Sequence, residues 1–149
     1  GLKREVSGAH MSYDVMVFEP SAAPADRAGF LAWYSSVACT GDGKLTNDPA
    51  TTTPALQAWF RDMIRYFPST VGPDGSALMD IEDNKHGEYR FAEPAVFAGF
   101  HWESSRHVYR QATKLARTHN VGFFEVSGET AAVWGPTPKG HYALMHRNE

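Results

Sequence analysis

Apolar and polar residues recur along most of the chain with the two periods of regular secondary structure. Residues 13–18 put apolar side chains on both faces of an extended segment, which predicts a central strand. Residues 24–38 and 53–68 repeat apolar side chains every three or four positions, which predicts two helices. Thr53 is the expected N-cap of the second helix, because Pro54 suits the first helical position.

The second half of the chain predicts four strands and one helix. The strands have short, mainly apolar patterns and lie at 88–93, 95–102, 121–127 and 130–135. A helix that ends near His119 separates the second of these strands from the third, and Ser104 or Ser105 can cap its start. Asn120 suits the left-handed conformation that closes a helix. No element is predicted for 137–149.

The resulting order of elements, β-α-α-β-β-α-β-β, is typical of an α+β domain. It predicts a ferredoxin-like (split β-α-β) sandwich with an extra helix, in which the helices pack on one face of a mainly antiparallel sheet. The 149 residues are enough for one domain, and no linker or long repeat divides them. Residues 1–10 resemble an expression-tag remnant, so we expect a single domain over 11–149 that naturally starts at Met11.

Composition and charge exclude several classes of protein. A hydrophobic content of 42% with four tryptophans favours an ordered fold over a disordered one. No apolar run approaches the about 20 residues that span a bilayer, so no membrane association is expected. The single Cys39 suits the reducing cytoplasm, which is the expected location. The net charge is −3, or −4 without residues 1–10, which argues against non-specific nucleic-acid binding.

The segment HWESSRH, from His101 to His107, places two histidines and Glu103 close together. Such residues can bind a metal or line a catalytic cleft. A zinc site usually needs three or four ligands, however, and no His-Glu-x-x-His or paired cysteines accompany these residues. The structural interpretation is a strand end that meets a helix start. We favour it, and we predict no catalytic, cofactor-binding or metal-binding residues.

Two further segments match ligand-binding motifs only in part. Around the stretch CTGDGKL (39–45), the preceding Ala38 stands where a phosphate-binding loop needs its first glycine, and Leu45 stands where it needs its hydroxyl residue. The stretch VGFFEV lacks the basic residue of RNA-recognition strands, and adjacent Phe123 and Phe124 should face opposite sides of a sheet. The expected roles are therefore a loop and a core strand.

The third predicted helix carries four cations at spacings of four, four and three residues: Arg106, Arg110, Lys114 and Arg117. Such a stripe can bind phosphates, such as those of RNA, or an acidic partner. A solvated helix face has the same pattern, and cations are favoured near the C-terminal end of a helix. We favour the solvated face and do not expect a nucleic-acid partner.

An acidic stretch, DIEDNKHGEYRFAE at 80–93, contains five acids and two bases. It can serve as a docking surface for a basic protein, or its charges can protect an edge strand from pairing with neighbours. Both interpretations stay open. The first candidate residues for partner binding are Asp80, Glu82, Asp83 and Glu88, and the loop 41–52 is the second candidate surface.

The frame MSYDVMVFEP…TTTPALQAWFRDMI…FP…HNVGFFEVSG…VWGP resembles a family of small bacterial proteins, and the likeness spans most of 11–136. That family is associated with accessory genes of the toxin-immunity kind. The matching positions are mostly core and capping positions, so the resemblance bears on the fold. It transfers no catalytic residue.

These observations lead to one expected function and one alternative. We expect a non-enzymatic, cytoplasmic protein-binding module, an immunity protein that neutralises a cognate toxin by covering its active site. The alternative is a small-molecule enzyme or binder whose cleft is lined by His101, Glu103 and His107.

Overall fold

A computed structural model describes residues 12–38, 45–69 and 85–149, and regular elements run through all three parts. The helices are α1 (Arg27–Ala38), α2 (Pro54–Met63) and α3 (Ser105–His119). The strands are β1 (Ser12–Phe18), β2 (Gly87–Ala92), β3 (Ala95–His101), β4 (Gly122–Phe124), β5 (Val133–Pro136) and β6 (Tyr142–His146). The segment ALMDIED at 77–83, whose sequence also suits a short strand, lies outside the described residues.

The six strands form one antiparallel sheet in the order β2-β3-β1-β4-β5-β6. The α+β class and the antiparallel sheet are therefore confirmed, as is the central position of β1 between β3 and β4. The strand order is not that of a simple split β-α-β sandwich, because β5 and β6 extend the sheet beyond β4. Strand β6 falls within 137–149, where the sequence predicts no element.

Two apolar cores lie on opposite faces of the sheet. One contains Val15 and Val17 of β1 together with the apolar sides of α2 and α3. The other contains Met16 and Phe18 of β1 packed against Phe30 of α1. The prediction that all helices pack on one face is therefore wrong. The apolar residues on both faces of β1 require a cover on each side, and α1 supplies the second cover.

The helix termini follow local hydrogen bonding. The Thr53 side chain accepts a hydrogen bond from the Leu56 amide, which confirms it as the N-cap of α2. Asn120 has a φ of 59° and closes α3 as predicted. Helix α1 starts at Arg27, three residues later than expected, because the Asp26 carboxylate accepts a hydrogen bond of 2.7 Å from the Gly29 amide.

The last strand is tied to α1 by one arginine. Arg27 Nη1 contacts His146 Nδ1 at 3.0 Å and donates to the Ala131 carbonyl at 3.0 Å. Its Nη2 donates to the Asn148 side chain at 2.6 Å. Phe30 packs edge to face against the His146 ring, with centroids 5.1 Å apart. These contacts hold the C-terminal segment against the start of α1.

Gly122 lets the Phe18 ring, in the core under α1, pack directly against the backbone of β4, since a Cβ on residue 122 would fall 2.2 Å from that ring. Gly135 lies in a strand too, but its Cβ would meet Met145 at an ordinary 3.6 Å. We expect Gly122→Ala to lower the free energy of unfolding by roughly 1–3 kcal/mol, and Gly135→Ala to have a much smaller effect. Urea unfolding of both variants checks this, and equal losses would contradict the packing described.

His146 makes stability depend on pH. Burial, followed by the nearby Arg27 cation, lowers the pKa of His146, and Asp26 opposes this in part. The folded state therefore binds fewer protons than the unfolded state, so stability falls as the pH drops through the unfolded value of about 6.5. His146→Gln keeps an acceptor for Arg27 but cannot be protonated. We expect a smaller loss of stability between about pH 7.5 and about pH 5.5 in this variant than in the wild type. Urea unfolding at both pH values measures this, and an unchanged pH dependence would contradict it.

Candidate functional site

An open cavity of about 570 Å³ lies on the α1 face of the sheet, beside the C-terminal end of α1. Its floor is made of residues on β1, β2 and β3 that face this side of the sheet: Ser12, Asp14, Glu88, Arg90, Phe97, Gly99 and His101. It is also lined by His86, Tyr34, Ala38, Leu45 and Val126, and by Val15, Ala98 and Phe100, which belong to the core on the other face. We call this cavity the sheet groove.

The groove exists because one face of β1 changes from apolar to polar along its length. Met16 and Phe18 are buried under α1, whereas Ser12 and Asp14 on the same face are only half-buried. Tyr34 of α1 packs tilted against Phe97, with ring centroids 6.1 Å apart, and marks the border between the two regions. Beyond this border the sheet presents polar groups to the surface.

Two carboxylates in the groove lie on either side of a glycine, where the backbone carries no side chain. In the sheet register, Gly99 lies opposite both Asp14 and Glu88. A Cβ on Gly99 would fall 2.9 Å from Asp14 Oδ1, so the Asp14 carboxylate leans over the glycine. Gly99 thus leaves a gap between the two acids that any larger residue would narrow.

Asp14 is held in place by its neighbours. The Ser12 hydroxyl donates a hydrogen bond of 2.6 Å to Asp14 Oδ1, and the Asp14 amide donates to the Ser127 hydroxyl at 2.9 Å. Glu88 and Arg90 lie on β2, paired with β3, and their side chains are exposed. The groove therefore combines one fixed carboxylate with one solvated carboxylate.

The charges of the groove favour a cationic guest. It contains the carboxylates of Asp14 and Glu88, the guanidinium of Arg90, and the imidazoles of His86 and His101. With neutral histidines the balance is negative. Among the described residues, no three or more His, Cys, Asp or Glu side chains are grouped so that they could hold a metal ion. The arrangement is suited to binding a basic or hydrogen-bond-donating group.

The HWESSRH segment does not form one cleft. His101 lies in the sheet groove, and its Nδ1 faces the Glu103 amide at 3.4 Å at the start of the short turn Trp102–Ser104. Glu103 is exposed and lies outside the groove. His107 lines a different cavity of about 330 Å³, together with Tyr66 and Arg110. The structure thus does not bring the two histidines and Glu103 together.

Only part of the acidic candidate surface is described. Asp80, Glu82 and Asp83 lie outside the described residues, and so do residues 41–44 of the second candidate loop. Glu88 is exposed in the sheet groove. In the rest of the loop, Thr46 exchanges two backbone hydrogen bonds with Phe91, of 2.9 and 2.8 Å, and so covers part of the outer edge of β2.

The four cations of α3 are all exposed. They contact different surroundings: Arg106 lines a hollow near Trp102, Arg110 lines the cavity with His107, and Arg117 lies 5.8 Å from the Tyr142 ring centre. Because these cations lie in different surroundings, they fit a solvated helix face better than a single phosphate-binding site.

Asp14, Ser12 and Arg90 are site residues that the sequence did not predict. The signal was present in β1, where Ser12 and Asp14 share the face of Met16 and Phe18 and break its apolar pattern. Their proximity to Glu88 depends on β1 and β2 both pairing with β3, which only the sheet order shows.

No protein-family model, curated protein or solved structure matches the chain. Within residues 12–38, 45–69 and 85–149, none of the helices has the length and apolar character needed to cross a bilayer.

The separation of His101 from His107 predicts how the protein responds to zinc. We expect the double variant His101→Gln/His107→Gln to show the same shift of its thermal unfolding midpoint in added ZnCl₂ as the wild type, because the two imidazoles line different cavities and, among the described residues, neither belongs to a group of three metal-binding side chains. Differential scanning calorimetry checks this. A zinc-dependent stabilisation that disappears in the variant would show that the segment binds the metal.

Proposed function

We propose that the protein is a non-enzymatic protein-binding module whose sheet groove receives a basic side chain of a partner protein. The observation that carries the proposal is the pair of carboxylates, Asp14 and Glu88, on either side of Gly99. A lysine or arginine entering over the glycine contacts both carboxylates. Charged partners of this kind add specificity and speed of association.

Asp14 and Glu88 contribute to binding in different ways. The Ser12 hydroxyl holds the Asp14 carboxylate and the Ser127 hydroxyl holds the Asp14 backbone amide, so a bound cation meets a carboxylate that loses little freedom on binding. Glu88 is exposed and can attract a basic partner from a distance. The volume of about 570 Å³ is ample for one long side chain and the neighbouring residues of a loop.

The partner we propose is a cognate toxin, which the protein neutralises by covering the toxin's active site. This part of the proposal rests on the resemblance of the frame at 11–136 to bacterial proteins of the toxin-immunity kind. Occlusion needs no catalytic group on this chain. It needs only that the basic residue held in the groove belongs to the toxin's active site or lies at its rim.

A second candidate function is the binding of a small polar molecule in the same groove. The presence of His101, His86 and the Ser12 hydroxyl beside the carboxylates favours it. Thermal unfolding in the presence of a metabolite panel distinguishes the two functions. Stabilisation by one small molecule at submillimolar concentration, with no protein partner found, would replace the first proposal.

The proposal is tested first by co-expression. A tagged chain from Met11 to Glu149 is produced together with the product of the adjacent gene and purified through the tag. We expect a defined complex and, where the neighbour is toxic, rescue of growth by this chain. A neighbour that is toxic but is neither bound nor neutralised would overturn the immunity function.

Charge removal in the groove should slow association with that partner. One charge pair at about 4 Å in water is worth about 1 kcal/mol, so we expect Glu88→Ser to lower the association rate roughly fivefold at low salt and to reduce its salt dependence. Glu93→Ser is the matched control, since Glu93 is an exposed acid just beyond β2 and outside the groove. Stopped-flow kinetics at several salt concentrations measure both.

The combined variant of Asp80, Glu82 and Asp83 to Ser separates the groove from the rest of the acidic stretch. If this variant alone slows association and Glu88→Ser behaves like Glu93→Ser, the partner docks on the acidic stretch and the groove is not its site.

A further inference from the structure

A second hollow, of about 390 Å³, lies near the start of α3 and involves the opposite face of β1 from the sheet groove. Aromatic rings and carboxylates share its lining: Tyr13, Trp102, Tyr109, Glu125 and Glu129. We call the cavity that these five residues line the aromatic hollow. Arg106, Ser105, Ser127 and Gly128 complete the wall.

One carboxylate of the aromatic hollow is fixed. The Tyr13 hydroxyl donates a hydrogen bond of 2.7 Å to Glu125 Oε2, and Tyr13 itself is only 2% exposed. The Glu125 side chain also lies against Gly128, because a Cβ on that glycine would fall 2.4 Å from Glu125 Oε1. Within the described residues, Tyr13 is the side chain that donates to Glu125, so Oε1 keeps its capacity to accept.

Two aromatic side chains stand exposed beside this carboxylate. Trp102 is 44% exposed and Tyr109 is 36% exposed, although large apolar side chains of the described residues are mostly buried. Trp102 packs edge to face on Tyr13, with centroids 5.8 Å apart, and Tyr109 packs in the same way on Phe123 at 5.9 Å. Each ring thus packs on a buried aromatic side chain while remaining partly open to solvent.

The Tyr109 phenol and the Glu125 carboxylate are close enough to interact. The pKa of Tyr109 is raised by burial first and by the charge of Glu125 second, while Arg117 opposes the shift. The phenol is therefore neutral at physiological pH, and its ring keeps the electron-rich face that attracts cations.

We propose that the aromatic hollow binds an organic ammonium group. A carboxylate surrounded by exposed aromatic rings is the arrangement by which proteins recognise quaternary and methylated ammonium ions. Glu125 and Glu129 neutralise the charge, and Trp102 and Tyr109 contact the carbon atoms next to the nitrogen. The proposal is independent of the function proposed for the sheet groove.

Arg106 is the one cation in the wall, and it opposes a cationic ligand. It is exposed, and no ion pair within 4 Å joins it to Glu125 or Glu129, both of which are described. The two carboxylates are thus not neutralised by a neighbouring side chain of the hollow. Removal of Arg106 should strengthen binding, which gives the proposal a signature that non-specific binding lacks.

The test is an NMR titration of the ¹⁵N-labelled full chain with choline at constant ionic strength. We expect saturable shifts of the Gly128 amide and the Trp102 indole N–H, with a Kd on the order of 1–10 mM. The neutral isostere 3,3-dimethylbutan-1-ol has the same shape and should cause no saturable shift. Equal binding of the two compounds, or no shift with choline up to about ten times that range, would overturn the proposal.

Four variants locate the site. Glu125→Gln keeps an acceptor for Tyr13 and removes the charge, and we expect at least about tenfold weaker binding from it. Tyr109→Leu should weaken binding severalfold, and Arg106→Gln should strengthen it. Tyr66→Leu removes an exposed aromatic ring outside the hollow and should leave the Kd unchanged. Unaltered binding in folded Glu125→Gln, judged by its spectrum, would overturn the proposal.

The source of the ammonium group is distinguished by a second titration with Nα-acetyl-lysine methylamide. Saturable binding of both compounds assigns the hollow to ammonium groups in general, including those of protein side chains. Binding of choline alone assigns it to free quaternary ammonium compounds. Failure of choline to bind overturns the proposal, whether or not the lysine derivative binds.

Discussion

Successive side chains of β1 point to opposite faces of the sheet, and both cores depend on them. Val15 and Val17 complete the core under α2 and α3, whereas Met16 and Phe18 complete the core under α1. A strand that is apolar on both faces must be central and must be covered twice. The position of β1 between β3 and β4 and the separation of α1 from the other helices both follow from this requirement.

The two candidate sites lie at the start of β1, where polar groups interrupt its apolar pattern. At the start of β1, the α1 face carries Ser12 and Asp14, and the groove opens beside the end of α1. The other face carries Tyr13, which is buried and directs its hydroxyl to Glu125. Adjacent residues of one strand thus support two different carboxylate sites. Ser12 and Asp14 are only half-buried, so this end of the strand accommodates polar side chains that its buried centre does not.

Much of the fold could be predicted because it depends on local patterns. The Thr53 cap, the Asn120 terminus and the apolar stripes of α2 and α3 are properties of short segments, and the structure confirms them. The face taken by α1 was missed, because its apolar pattern shows that it is buried without showing against which side. Strand β6 was missed because its pattern is weak and Arg27 helps to hold it in place from a distant part of the chain.

The sites were less predictable than the fold. Glu88 was identified from its charge, but its partner Asp14 lies 74 positions earlier in the chain and meets it only across Gly99. The histidines of HWESSRH are close in sequence, yet His101 points into the groove and His107 lies on α3 in another cavity. Distance along the chain was a poor guide in both cases, since strand pairing and helix rotation decide which side chains meet.

The most direct test of the central claim is the affinity of Gly99→Val for the co-purified partner. The valine changes no charge, but its Cβ displaces the Asp14 carboxylate and narrows the space between the two acids. We predict a Kd that rises about tenfold or more, equivalent to roughly 1.4 kcal/mol, with Gly135→Val as the control that binds normally. A folded Gly99→Val variant that binds as tightly as the wild type would contradict the claim that the partner enters between Asp14 and Glu88.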